Sequence, residues 1–311
     1  MRILENITLS NGMLLPSIGF GPGGCGYSPN VAFRKERTGI AAIPYRAYNK
    51  FVRLPSLEKD YIQAVASAVE LGFRLIDFSA AYGDGTLVGK GIKLSGLSRE
   101  KLVLTTRVSN QAQFQGKDRI RQEFFQQLKG FQTDYVDILM FHWPVTDCYE
   151  ETWKTMVELF REGYVKTLGV ANCHKHHLDR IFDLSEERPL INQFEIHPLF
   201  TQKPLINFCR EHGIQPEAYT PIARFDDRLV RLPLLKNIAN KYGKSVLQVV
   251  LRWHVQNDVV PVVRTLNPKH QKENLGIFDF QLTKDEMVLI DGININSRLR
   301  YDPDNCDFTI L

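Results

Sequence analysis

The apolar positions of this chain fall into short continuous runs. Eight of them, at 17–20, 74–77, 102–106, 136–141, 167–171, 191–195, 215–218 and 260–263, are too short and too uniformly apolar for amphipathic surface elements. That is the pattern of parallel strands buried on both faces. Between the runs lie stretches with a helical period. DYIQAVASAVELG places Ile62, Val65, Ala66, Val69 and Leu71 on or near one face and ends at Gly72, a residue suited to closing a helix. Further helical stretches occupy 120–128, 149–161, 204–212 and 246–256. Ahead of all of these, ITL, Ser10-Asn11-Gly12 and MLL predict a β-hairpin, because Asn-Gly supplies the positive φ values of a tight two-residue turn.

Strands alternating with helices in this way predict an α/β fold, a (β/α)8 TIM barrel, with an N-terminal hairpin and a long insertion after the first barrel strand. Residues 1–311 then form one barrel domain, with 22–55 as an inserted loop. An open doubly wound sheet is the competing architecture. No GxGxxG fingerprint follows an early strand at a helix start, and GFGPGGCG leads into an irregular stretch, so it reads as a turn.

In a barrel, chemistry gathers just past the C-terminal ends of the strands. Those positions hold Asp77, Tyr82, Arg107, His142, Asn172, Gln193 and Tyr219, with Arg264 and Thr265 after the last strand. Polar groups at successive strand ends predict one central pocket.

Composition narrows the setting. A net charge of +4 is too small and too scattered for a nucleic-acid partner. The five cysteines have no CxxC spacing, and no apolar run reaches membrane-spanning or signal-peptide length. These features predict a reduced, cytoplasmic protein with a small-molecule substrate and neither a membrane nor a nucleic-acid partner.

Several segments then resemble the aldo-keto reductases. LIDFSAAYGDGTLVGKGIK is similar to that family's first signature, and YVDILMFHWP to the strand carrying its active-site histidine. TLGVANC, INQFEIHP and AYTPIARF resemble its cofactor-holding strand ends, and VVPVVRTLNPKHQKENLGIFDFQLTKDEM its C-terminal dinucleotide segment. The resemblance spans nearly the whole chain outside residues 22–55. It implies an NADP(H)-dependent oxidoreductase that reduces a carbonyl or oxidises an alcohol, with Tyr82 as proton donor and His142 polarising the carbonyl oxygen. An unperturbed tyrosine has a pKa of about 10, so a nearby cation must stabilise its phenolate. The family uses a lysine for this, oriented by the aspartate, here Asp77. The lysine position is Arg107, which keeps the charge but cannot join a proton relay.

The resemblance also assigns cofactor contacts. Asn172, Gln193 and Tyr219 would hold the nicotinamide, with Thr220 and Ile222 beside them. Arg264, Thr265 and His270 would meet the 2′-phosphate, and Glu273 and Asn274 the adenine. Arg264 and a hydroxyl favour NADP(H) over NAD(H); histidine, mostly neutral at pH 7, softens that preference. Three positions near the cofactor depart from the family: Ala171 for serine, Gly85 for glutamate, and Pro22-Gly23 for a Thr-Trp pair.

Two other segments invite readings. In CHKHHL, a helix would set Cys173 and His177 four residues apart, as zinc ligands can be, but the segment has no carboxylate to complete the shell, so no metal is assigned. The insertion carries Arg34, Lys35, Arg37, Arg46, Lys50 and Arg53 among aromatic residues. It reads as a packed rim insertion or as a lid with cations for a phosphorylated or carboxylated substrate. The alternative function is a non-catalytic NADP(H)-binding sensor or interaction protein, favoured by Arg107, Ala171 and Gly85.

Overall fold

The structure, a computed structural model, describes residues 5–23 and 54–310. Two antiparallel strands open it, β1 (Asn6–Thr8) and β2 (Leu14–Pro16), paired Asn6 with Pro16 and Thr8 with Leu14. The connection is not the two-residue turn the Asn-Gly step predicts. Leu9 N–H donates to Met13 O at 2.9 Å and Gly12 N–H to Leu9 O at 2.8 Å, so the loop holds three residues and only Gly12 takes positive φ, +83°. Asn11 is used through its side chain instead. It accepts from Met13 N–H at 3.1 Å and donates to Thr167 Oγ1 at 3.0 Å, fastening the hairpin to the barrel.

Eight parallel strands then close on themselves. They are β3 (Gly19–Phe20), β4 (Leu75–Asp77), β5 (Val103–Val108), β6 (Val136–Phe141), β7 (Val165–Ala171), β8 (Ile191–Glu195), β9 (Gln215–Tyr219) and β10 (Val260–Val263), with β10 pairing both β3 and β9. Closure excludes the open doubly wound sheet. Every residue of β6, β8 and β10 is buried, as expected of strands with helices outside and packed side chains within. The first strand is shorter than its apolar run, because Ser17 donates through its N–H (3.0 Å) and its hydroxyl (2.7 Å) to Glu5 O and so belongs with the hairpin.

The helix Leu54–Leu71 buries Tyr61, Val65, Ala68 and Val69 and closes at Gly72, whose φ of +123° lies outside the range side-chained residues favour. Leu71, expected on the buried face, is exposed. At the N-terminal ends of the strands, Leu9 and Leu15 of the hairpin pack with Leu75, Ile138, Ile191 and Val260, plugging the barrel floor. The C-terminal end is left open. Of the insertion, residues 24–53 lie outside the described residues, and with them the lid reading and Cys25. Among the described residues no helix is long and apolar enough to cross a membrane.

Candidate active site

Three successive strand ends, those of β4, β5 and β6, bring Asp77, Tyr82, Arg107 and His142 to the open end. Past β4, Ser79 Oγ accepts from Ala81 N–H at 3.2 Å and starts a single 3-10 turn, Ala80–Tyr82, that lifts the Tyr82 ring to the mouth. Arg107 on β5 is 3% exposed. It donates to the Asp77 carboxylate, to Phe78 O at 3.1 Å and to Gln193 Oε1 at 2.7 Å. Burial alone would lower its pKa, but Asp77 outweighs it, so the guanidinium stays charged.

His142 follows β6, its N–H donating to Val108 O at 3.0 Å. Its ring meets the Tyr82 ring edge-on, 5.8 Å between centroids. Burial first, then the charges of Arg107 and Arg300, push its pKa down to about 3, so the imidazole is neutral in any working buffer. Its Nδ1 lies 3.2 Å from Ser79 Oγ. The Ser79 hydroxyl can donate to Nδ1, and in that tautomer the Nε2 proton is left for a substrate oxygen.

The residues expected at the nicotinamide already hold one another. Asn172 takes φ +59°, which asparagine tolerates, and donates from Nδ2 to His142 O at 3.0 Å. Its Oδ1 accepts from the Tyr219 hydroxyl at 2.7 Å. Gln193 Nε2 donates to Glu217 Oε2 at 2.9 Å, so both ends of this amide have protein partners as well. Ala171 offers no hydroxyl.

Asp77, Tyr82, Arg107, His142, Asn172, Gln193 and Tyr219 line one cavity of about 1070 Å³, large for a small-molecule site. The same cavity runs on past Thr220 and Ile222 to Arg264, Thr265, His270, Glu273 and Asn274, so every sequence-predicted site residue borders it. Thr220 Oγ1 is buried with no partner, an orphaned hydroxyl on the cavity wall. Length, a cationic far end and an unpaired polar atom midway fit a phosphorylated dinucleotide.

Two departures have structural causes. Gly85 does not border this cavity; it lines a small separate one beside Tyr61 and Leu87, so its description as cofactor-proximal is corrected. Its φ is +80°, and a Cβ there would lie 2.6 Å from the Phe131 ring. At Gly23 a Cβ would lie 2.1 Å from Tyr82 Cδ2, so bare backbone lets the tyrosine ring lie where it does.

The helical spacing of Cys173 and His177 is also corrected. The helix Lys175–Leu184 starts after both Cys173 and its N-cap His174. A carboxylate absent from the segment arrives from the C-terminal tail: Asp304 lies 2.7 Å from His174 Nδ1, 3.3 Å from His176 Nε2 and 3.8 Å from His177 Nε2. His177 Nδ1 accepts from His174 N–H at 3.2 Å, which puts the ring proton on Nε2, facing Asp304 as a donor and not as a ligand. The cluster holds the tail to the rim, where Phe308 packs on Trp143.

Sequence reading missed Glu217, Arg300 and Ser79. A glutamate inside the run QPEAY was the available signal for the first. Arg300 follows no strand, so counting strand ends passes over it. Glu195 fixes its backbone, accepting from Leu299 N–H at 2.7 Å and Arg300 N–H at 2.9 Å, and its side chain borders the cavity.

A closed barrel with a neutral histidine and a tyrosine over a buried Arg–Asp pair, beside a dinucleotide-sized cleft, defines a barrel oxidoreductase. The family model described as the Aldo/keto reductase family matches residues 53–295. An oxidoreductase of Bacillus subtilis, YtbE, is 40% identical over 253 residues, 80% of this chain and 89% of its own length. The methylglyoxal reductase DkgA of Escherichia coli is 38% identical, over 79% of this chain and 89% of its own. The crystal structure of a Gox0644 mutant in complex with NADPH superposes with a TM-score of 0.83 at 29% identity, covering 98% of this chain and all of that one. The chain belongs to the aldo/keto reductase family.

Proposed function

We propose that this chain is an NADP(H)-dependent carbonyl reductase for a small anionic molecule, with Tyr82 as proton donor. The observation that carries the reading is the convergence of Tyr82 and neutral His142 on one cavity wall above the buried Arg107–Asp77 pair. NADPH, when bound, supplies a hydride to the carbonyl carbon. The His142 Nε2 proton hydrogen-bonds the carbonyl oxygen, Tyr82 gives that oxygen its proton, and the Arg107 charge stabilises the phenolate left behind. Arg264 and Thr265, on the cavity wall, would hold the 2′-phosphate. Reaction direction follows the cofactor supply, so the same groups oxidise the alcohol in reverse.

An anionic substrate is supported by Arg300, a cation on the cavity wall whose field reaches His142. The sequence reading placed such cations on the insertion, which lies outside the described residues. The names of the relatives add a starting compound, methylglyoxal, and the free state of the four described cysteines fits a reducing cytoplasm. The test is NADPH oxidation across pairs of carbonyl compounds differing only in a carboxylate or phosphate. Anionic members should have the higher kcat/KM, with an advantage that shrinks as salt rises; equal values would reject the substrate class. The second reading, a cofactor-binding protein without turnover, is favoured by one observation: the amides of Asn172 and Gln193 are already engaged within the protein. Tight NADPH binding with no turnover of any carbonyl would establish it.

A further inference from the structure

Glu217 lies in the middle of β9, 1% exposed, facing into the barrel beneath the site just described. It is an ionisable group that the proposed chemistry does not use. Its Oε2 accepts from Gln193 Nε2 at 2.9 Å, and its Oε1 is buried with no partner. The other end of Gln193 accepts from Arg107 Nη2 at 2.7 Å, and the same nitrogen donates to Asp77. Four interior side chains, from β4, β5, β8 and β9, therefore form one line, Asp77, Arg107, Gln193, Glu217, with Gln193 Nε2 also 3.5 Å from Asp77 Oδ1.

The order of that line is set by chemistry. A guanidinium only donates, and Glu217 Oε2 accepts whether or not Oε1 carries a proton, so the amide between them is satisfied in one orientation, carbonyl toward Arg107 and NH2 toward Glu217. Remove the carboxyl, and Gln193 Nε2 keeps only its long 3.5 Å contact to Asp77 Oδ1, so the amide is held less firmly as an acceptor for Arg107. Charge gives the second constraint. Arg107 and Asp77 cancel, so a further ionised carboxylate would leave one uncompensated negative charge below the point where the substrate oxygen becomes negative. The charged and polar groups facing Glu217 are Asp77, Arg107 and Gln193; β10, its other neighbour, reads VPVV and brings none. Burial first, and then Asp77, push its pKa up to about 7, against the pull of Gln193 and Arg107.

We propose that Glu217 is a positioning residue of the reductase centre, which carries a proton during turnover and aims the Arg107 guanidinium at Asp77 through Gln193. The proposal rests on the reductase reading for its kinetic arm only. Protonated, Glu217 leaves the line neutral and Arg107 effective toward Tyr82. Ionised, it opposes both phenolate formation and charge growth on the substrate oxygen. Carbonyl reduction should therefore be fastest below neutrality and fall as the carboxyl ionises.

Two measurements on the intact protein test it. Infrared difference spectra between pH about 5.5 and about 8.5 should show a buried carboxylic C=O band lost on the alkaline side, absent in Glu217→Gln. In the kcat profile for a carbonyl substrate, the wild-type alkaline limb near neutrality should vanish in Glu217→Gln and persist in Glu217→Asp with kcat lowered about tenfold, because the shorter carboxyl draws away from Gln193. An unchanged infrared band in Glu217→Gln, or an alkaline limb that stays in place, overturns the proposal. If the protein binds NADPH but turns nothing over, the reductase reading fails by itself and the infrared arm alone decides whether Glu217 holds the proton.

Discussion

Arg107 and Asp77 form an ion pair in which both side chains are buried, at the ends of adjacent strands. The arginine does more than replace a family lysine as a charge. Its fork also reaches Phe78 O and Gln193 Oε1, which one ammonium on a shorter stem cannot serve together with Asp77. Arg107→Lys should therefore cost about 1–3 kcal/mol of stability, the usual penalty for stranding a buried acceptor. It should also lower carbonyl reduction. Denaturant unfolding and NADPH oxidation with a simple aldehyde check both; unchanged stability with faster reduction would mean that the arginine is merely tolerated.

Tyr82→Phe removes a hydroxyl from a ring that is 40% exposed, and the packing of that ring against Phe78 and His142 is retained. Folding and NADPH affinity should hardly change, while kcat falls by at least about 100-fold for want of a proton donor. Steady-state kinetics beside a fluorescence titration separate the two, and an unaltered kcat would remove Tyr82 from the mechanism.

Arg264 and Thr265 predict an NADP(H) preference over NAD(H) of about tenfold, or about 1.4 kcal/mol. Arg264→Glu should erase most of it by meeting the phosphate with like charge. Competitive titration of the two cofactors against wild type and variant gives the ratio directly, and equal wild-type affinities would contradict the assignment.

Gly85→Glu restores a family residue and should nonetheless destabilise the protein by about 1–3 kcal/mol or more. The φ of +80° and the Phe131 ring 2.6 Å from the new Cβ both oppose a side chain. Thermal unfolding is the measurement, and a variant as stable as wild type would show that the Phe131 helix yields easily.

Acid should weaken the fold through two neutral histidines, His254 buried and His142 half-buried. Burial lowers the pKa of both His142 and His254 to about 3, below the ordinary histidine value of 6.5. The unfolded chain then binds more protons than the native one between those limits. The stability these residues contribute is complete above about pH 6.5 and drains away as pH falls toward about 3. His254 uses Nε2 on Pro221 O at 2.9 Å, while its Nδ1 has no partner to receive a second proton. Urea midpoints at several pH values should decline through this window, less steeply in His254→Asn; parallel curves would assign the loss to other groups.

The eight strands were legible because a parallel strand covered on both faces leaves an unbroken apolar run, and a polar residue ending such a run faces the mouth. That rule found Asp77, Arg107, His142 and Asn172 without reference to the fold's interior. It could not find Glu217, since an acid within a strand reads as a surface position until the barrel closes around it. Nor could it find Arg300 or Asp304, whose tail reaches the rim only by tertiary contacts to Glu195 and to the three histidines. The glycines show the same boundary. Gly72 was readable because a helix end is local, whereas Gly23 and Gly85 are required by the rings of Tyr82 and Phe131, distant in sequence.

The hairpin at the barrel floor has a colloidal consequence. Leu9 and Leu15 cover a ring of apolar side chains contributed by β4, β6, β8 and β10. A chain cut back to begin after Pro16 would keep every residue of the reaction centre, yet it would display that ring to solvent as a sticky disc. Two such discs are self-complementary, so the shortened protein would pair base to base, and its loss would be registered by light scattering at rising concentration before any assay of chemistry noticed it.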